Sequence, residues 1–317
     1  MKTAAVVPCF KTRHHALSVV ERLCEVVDYV FVVDDCCPQG TGAHIAENCD
    51  DPRVTVMYHA SNQGVGGAVI TGYRAAAETD ASIFVKVDSD GQMDPALIPA
   101  LTAPLRKKSA DYSKGNRFYH RSSLKGMPKV RLFGNAALSF LTKMSSGYWN
   151  VMDPTNGFTA IHISALNELD LDAISTRYFF ESDMLHHLNL ARAVIHDVPM
   201  RAIYADEVSS LRIREVLGSF FFRNLRNTTR RIFYTYGLRN FSVGSAYLLF
   251  SAAMLAFSIP LGLYTWAHSI ATGVPATSGT VMLVALPTLL GIQFLSGFIN
   301  FDVSSAPRIP LQETTDV

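Results

Sequence analysis

Two carboxylates, Asp88 and Asp90, lie one residue apart in the run "VKVDSDGQMDP", where the apolar stretch Ile83 to Val87 ends. Like charges this close repel, and one of them tends to keep its proton. A cation between them removes the conflict. Oxygen donors of this kind suit Mg2+ or Mn2+, which bridge protein carboxylates to substrate phosphates and neutralise charge on a departing diphosphate. The plainer alternative is a solvated turn in which Asp88 caps the next helix. Asp94, just before Pro95, has the position of a helix N-cap.

Two other stretches carry chemistry. "VVDDCCPQGTG" presents Asp34 and Asp35, which can accept hydrogen bonds from a nucleobase N–H or a ribose hydroxyl, or can cap their own turn. "NQGVGGAVITGY" sets Asn62, Gly64, Gly66 and Gly67 at the opening of a helix, where backbone N–H groups approach a phosphate. No Gly-Lys-Ser/Thr follows, so this is not a P-loop. A dinucleotide fingerprint would follow the first strand, where the chain has "PCFKTRHH" instead. The histidine pairs His14/His15 and His186/His187 are adjacent in sequence and point apart, which suits surface or packing roles.

These residues need a scaffold, and the first 110 residues alternate strand and helix signals. "AAVVP", "YVFVVDD", "RVTVMYH" and "SIFVKVD" read as strands; "HALSVVERLCEVV" and "GGAVITGYRAAAE" read as helices. Apolar runs without alternation indicate strands covered on both faces, and the strand–helix order predicts a parallel, doubly wound sheet. Ligands bind such sheets beyond the carboxyl ends of the strands. Pro8, Asp34, Asp35, Asn62 and Asp88 all fall at such ends. Residues 114–147 read as basic and partly helical. "NGFTAIHIS" then reads as a strand, "ESDMLHHLNL" as a helix and "RAVIHDVPM" as a strand.

The net charge of +1 over 317 residues gives no pull toward nucleic acid. From Asn240 to Phe301 there is no Asp, Glu, Lys or Arg. Two apolar runs there, about 241–266 and 280–300, are each long enough to span a bilayer as a helix, with the turn-rich "AHSIATGVPATSG" between them. Seven arginines against one acid, Glu215, lie between Leu211 and Arg239. Cationic flanks stay cytoplasmic, which places the N-terminal domain and the chain's end in the cytosol. Within 209–236, Leu217, Phe221, Leu225 and Ile232 share one helix face, and Arg223, Arg226 and Arg230 another. That pattern fits a helix lying in a membrane interface or one packed on the preceding domain. The five cysteines show no C-x-x-C spacing and fit a reducing compartment. Lys2 is followed by too few apolar residues before Pro8 for a signal peptide.

The order strand–Asp-Asp, Asn-x-Gly-x-Gly, strand–Asp-x-Asp-x-Gln, "GNRF", "DPTNGF", "FFESDML", "HDVPM" and two spans resembles glycosyltransferase family 2. It is most similar to the branch that moves a sugar from a nucleotide to a polyprenyl phosphate. The resemblance implies an α/β GT-A (Rossmann-like) nucleotide-sugar-binding domain at 1–208. It implies an amphipathic juxtamembrane helix at 209–239, a transmembrane hairpin at 240–301 and a cytosolic tail at 302–317. It implies Mg2+ or Mn2+ on Asp88 and Asp90, and a donor site of Pro8, Asp34, Asp35, Asn62, Gly64, Gly66, Asp88, Ser89 and Gln92. UDP is the first choice of nucleotide, with a guanine base left open. Arg117 and Arg131 would meet the acceptor phosphate, Asp153 the sugar or acceptor, and Asp183 is the family's acid on the "ESDML" helix. For an acceptor hydroxyl, Asp183 or Glu181 would be the base. The chain departs from the branch at Val65, Thr159 and Ser210, where lysine, arginine and the Ser-Lys-Leu motif are common. The implied partners are a nucleotide-sugar, a polyprenyl phosphate in the cytoplasmic membrane and a second copy of the chain. The rival readings are transfer to a hydroxyl of a lipid-linked glycan and a non-catalytic membrane scaffold.

Overall fold

Apolar strands with no alternation must be covered on both sides, and the computed structural model, which describes residues 1–119, 129–200 and 213–314, covers them so. In chain order the elements are β1 (Lys2–Cys9), α1 (Arg13–Cys24), β2 (Tyr29–Asp34), α2 (Thr41–Asn48), β3 (Val54–Tyr58), α3 (Val65–Ala77) and β4 (Ala81–Lys86). They continue with α4 (Ile98–Arg106), β5 (Tyr112–Asn116), α5 (Lys129–Ser146), β6 (Thr159–His162), α6 (Ile163–Asn167), α7 (Phe180–Leu190) and β7 (Ile195–Pro199). The strands form one sheet in the order β3-β2-β1-β4-β6-β5-β7. One face carries Val6, Phe31, Tyr73, Phe84, Ile161 and Met184. The other carries Val7, Val20, Leu23, Val32, Val85 and Leu101.

The strands read from the first 110 residues, β1 to β4, pair in parallel as expected. Two features lie beyond that reading, and the first is that β6 runs antiparallel to both β4 and β5. This inversion has a functional consequence: Thr159, the first residue of β6, pairs with Lys86, the last of β4. The turn that precedes β6, "DPTNGF", therefore lands on the same sheet edge as Asp88. The second is β5, in a region read as partly helical. Its sequence "YSKGN" is mostly polar, yet all five residues are buried. A polar strand in the middle of a sheet has no apolar run to announce it.

The chain divides into two compact units, residues 1–228 with 307–317, and residues 229–306. In the first, helix α8 (Ile213–Ile232) packs through Phe220, Asn224 and Asn227, all buried. Phe220 meets Phe179 edge to face, with ring centroids 5.2 Å apart, and Asn224 Oδ1 accepts from Ser145 Oγ at 2.6 Å. Two residues of the apolar face read from the sequence, Phe221 and Leu225, are 46% and 51% exposed. Packing and exposed apolar residues thus coexist on one helix. Residues after the second long helix do not form a loose tail. The buried Asp111 carboxylate accepts from Val194 N, Leu311 N and Gln312 N, which fixes α11 (Leu311–Thr314) beside the start of β5.

The second unit holds α9 (Val243–Thr272) and α10 (Ser278–Ser304), 30 and 27 residues long, each with an 18-residue stretch of mean hydropathy 1.8 and 1.9 respectively. Both are long and apolar enough to cross a membrane. They approach closely at Gly291, where a Cβ would stand 2.8 Å from the Leu255 side chain. At the other end of this unit Asp302, beyond the charge-free stretch, is not a solvated residue. Arg231 grips it with both Nη atoms, at 2.7 and 2.9 Å, and Tyr236 Oη donates to it at 2.7 Å.

Candidate active site

The site grows from the carboxyl end of β4. Lys86 is 1% exposed and its ammonium donates to Asp88 Oδ1 at 2.7 Å and to Glu181 Oε1 at 3.2 Å. Burial alone would lower the Lys86 pKa, but the charges of Asp88 and Glu181 outweigh it and hold the group above the usual lysine range. The ammonium fits because Gly157 has no side chain: a Cβ there would overlap Lys86 Nζ and stand 2.7 Å from Asp88 Oδ2. Gly157→Ala is expected to destabilise the protein by about 1–3 kcal/mol through overpacking and to lower its activity. Denaturant titration and initial rates would check this, and a variant with unchanged stability and rate would contradict the contact.

Across the sheet, Lys86, Thr159, Lys114 and Asp197 are register partners along β4, β6, β5 and β7. Partners in one row share a face, so a polar band crosses the sheet beside its carboxyl edge. Thr159 is 2% exposed. Lys114 donates to Met152 O at 3.0 Å and to Asp153 O, and burial lowers its pKa. Asp197 accepts from Asn116 Nδ2 and Met152 N at 2.9 and 2.8 Å. Burial pushes its pKa up, against the pull of Lys114 and these two donors.

Asp153 holds its backbone at φ 54°, a left-handed conformation that Asp tolerates better than most residues. Its carboxylate accepts from Arg117 Nε at 2.7 Å, Nη2 at 2.8 Å and N at 3.2 Å. Burial would raise the Asp153 pKa, but the bonds and charge of Arg117, with Lys114 nearby, bring it below the usual carboxylate value. Two residues read separately from the sequence are therefore one unit: Asp153, 1% exposed, orients Arg117, 32% exposed.

Asp34 and Asp35 are both buried and serve the protein's own loops. Asp34 accepts from Cys37 N and Gly42 N, each at 2.6 Å. Asp35 accepts from Gln63 N and Gly64 N, each at 2.8 Å, and lies 2.7 Å from His59 Nδ1. Asn62 Nδ2 donates to Asp35 O at 3.1 Å. The sequence left base contact and loop capping open for this acid pair, and capping accounts for all these bonds. The glycine turn likewise makes a close approach to protein: a Cβ on Gly66 would stand 2.6 Å from Ser175 O, and one on Gly64 2.7 Å from Thr176 O. Gly67 N donates to that Thr176 carbonyl. Ser89 Oγ donates to Pro8 O at 2.8 Å, tying the ends of β1 and β4 together.

Asp183 is 5% exposed and its carboxylate is fully engaged, by Ser175 N and Oγ on one oxygen and Asn227 Nδ2 on the other. It braces α7 against α8, whereas Glu181 on the same helix reaches Lys86. The Arg131 side chain and Ser210 lie outside what the structure describes. Asp94 caps Pro95 as expected, accepting from Ala96 N. Lys86, Lys114 and His59 escaped the sequence reading. A lysine at the end of an otherwise apolar strand was the available signal for the first.

The donor set suits a divalent cation in part. Asp88 Oδ2 takes no protein hydrogen bond among the described residues, and Asp90 Oδ1 accepts from Gln92 N at 3.0 Å. No cluster of three or more His, Cys, Asp or Glu ligands forms among the described residues. The chain thus offers hard oxygen donors for part of a coordination shell, the arrangement Mg2+ accepts when substrate phosphates and water complete it.

A seven-stranded α/β sheet with its antiparallel β6, and a carboxylate pair at the end of β4, define a GT-A-like nucleotide-sugar fold. The chain belongs to glycosyl transferase family 2, whose pattern matches residues 4–170. It is 36% identical over 168 residues to the UDP-N-acetylglucosamine–dolichyl-phosphate N-acetylglucosaminyltransferase of Methanococcus voltae, covering 53% of this chain and 66% of that protein. It is 30% identical over 204 residues to the undecaprenyl-phosphate mannosyltransferase of Micrococcus luteus, covering 63% and 83%. Among solved structures, glucosyl-3-phosphoglycerate synthase from Mycobacterium tuberculosis, in complex with Mn2+, UDP and phosphoglyceric acid, superposes with a TM-score of 0.53. That match is at 18% identity and covers 73% of this chain and 78% of the other, a likeness of fold.

Proposed function

We propose that this glycosyltransferase moves a sugar from a nucleotide-sugar to the phosphate of a polyprenyl lipid, working at the cytosolic face of the cytoplasmic membrane. The observation that carries the reading is Arg117, held in place by Asp153 on the sheet edge that also bears Asp88. A phosphate acceptor is already ionised and nucleophilic, so it needs orientation more than a base. A guanidinium fork matches its oxygens. The acceptor oxygen attacks the anomeric carbon, the bond from that carbon to the donor diphosphate breaks, and the electron pair leaves with the nucleoside diphosphate. The anomeric configuration inverts. A divalent cation on Asp88 and Asp90 would offset charge on the leaving diphosphate. Ser89, Pro8, Asp35 and the Asn62–Gly64 turn shape the donor side. α9 and α10 anchor the chain, and the outward Phe221 and Leu225 with Arg226 and Arg230 suit an anionic leaflet. The relatives named for dolichyl and undecaprenyl phosphate support the acceptor class.

The test is incubation of the detergent-solubilised protein with Mn2+, polyprenyl phosphate and a panel of UDP- and GDP-sugars. The expected product is a polyprenyl-phosphate sugar from one of them. Glu181, 15% exposed and within reach of the same edge, favours the second reading, transfer to a hydroxyl. A product formed on a lipid-linked glycan but not on polyprenyl phosphate would replace the first reading with the second.

A further inference from the structure

We propose that Lys86 sets the charge that a divalent cation meets at the Asp88–Asp90 turn, keeping the site weak for metal alone and strong once a nucleoside diphosphate is present. This rests on the metal reading above.

The ammonium is an expensive choice for its position. A buried charge is costly unless it is paired, and a methionine of similar length would fill the space with no such cost. Yet three segments are shaped around it: Asp88 from the end of β4, Glu181 from α7, and Gly157, whose missing Cβ leaves room for Nζ. A purely structural pair would turn both partners inward. Here Asp88 keeps 32% of its side chain exposed, and only its Oδ1 is bonded to the ammonium.

The charges give a rank order. Lys86 offsets part of the negative charge of Asp88 and Glu181, the two carboxylates it bonds. Without Lys86 the site is one charge more negative, and with Glu181 neutralised it is one charge less negative. Screening by salt is weak for groups this buried. Affinity for a divalent cation by itself should therefore follow Lys86→Met, then wild type, then Glu181→Gln. Bound nucleoside diphosphate adds its own negative charge and oxygen ligands, which narrows the gap between the three. Lys86 is a positioning residue in this scheme, since it acts through Asp88.

The experiment titrates the full chain in detergent micelles with Mn2+ and follows the free ion by electron paramagnetic resonance, alone and then with UDP or GDP. Lys86→Met is expected to bind Mn2+ alone about tenfold more tightly than wild type, and Glu181→Gln severalfold more weakly, steps of the size one nearby charge produces. Adding the matching nucleotide should bring wild type close to Lys86→Met. Equal or weaker binding by Lys86→Met overturns the proposal. If that variant does not fold by circular dichroism, Glu181→Gln decides alone, and unchanged or tighter binding overturns it. Nucleotide-dependent Mn2+ binding that Asp88→Asn removes, but that neither variant moves, sinks this proposal and spares the metal reading. No Mn2+ bound by wild type, even with nucleotide, sinks both.

Discussion

Asp88→Asn is expected to slow sugar transfer by roughly 10²–10³-fold, the usual loss when one electrostatic contact to the developing charge is removed. The substitution keeps the volume of the side chain and leaves Lys86 its bond to Glu181, so the fold should survive. Asp88 sits just beyond the end of an inner strand, partly exposed, with one oxygen on the ammonium. Asn cannot supply the charge that a cation needs, and higher Mn2+ should recover little of the rate. Asp90→Asn should behave alike. Rates at saturating donor across a Mn2+ series, with thermal unfolding as the control, decide it. Wild-type rates in either variant would remove these carboxylates from the chemistry.

The largest effect on stability is expected at Arg231. Arg231 and Asp302 each have only 4% of their side chain exposed and form a two-pronged ion pair. Arg231→Ala leaves the buried Asp302 without its two guanidinium bonds, at a cost of about 3–5 kcal/mol, the range for breaking a buried pair from one side. Replacing both, as Arg231→Met with Asp302→Leu, should recover most of that loss, because the desolvation cost of both charges disappears with them. Unfolding in detergent, followed by circular dichroism for the single and double variants, separates these outcomes. A double variant as unstable as Arg231→Ala would mean that the pair contributes net stability of its own.

Much of the fold was legible because periodicity is a local property. Ala4 to Val7, Val30 to Val33 and Ile83 to Val85 are uninterrupted apolar runs and are buried strand by strand. The charge gap before Asp302 marks α9 and α10 in the same way. β5 was not legible: Ser113, Lys114 and Asn116 are polar and find their partners at Leu101, at residues 152–153 and at Asp197, while Asn156 meets the Gly115 carbonyl. The antiparallel β6 was hidden too, since four residues, "TAIH", carry no directional signal.

The sequence by itself determined where the carboxylates, glycines and arginines fall along the chain, that they sit at strand ends, and that an uncharged pair of helices follows. These depend on neighbours a few residues apart. Only the tertiary structure decided which partners each of those groups meets. Asp34, Asp35 and Asp183 turn to backbone and side-chain donors of their own chain. Asp88 is held from below by a lysine and faces outward, and Asp153 serves Arg117. The partners that make the difference are remote: Lys86 and Glu181 are 95 residues apart, and Arg231 and Asp302 are 71. A charge's role is set by what meets it in space, and no local pattern carries that.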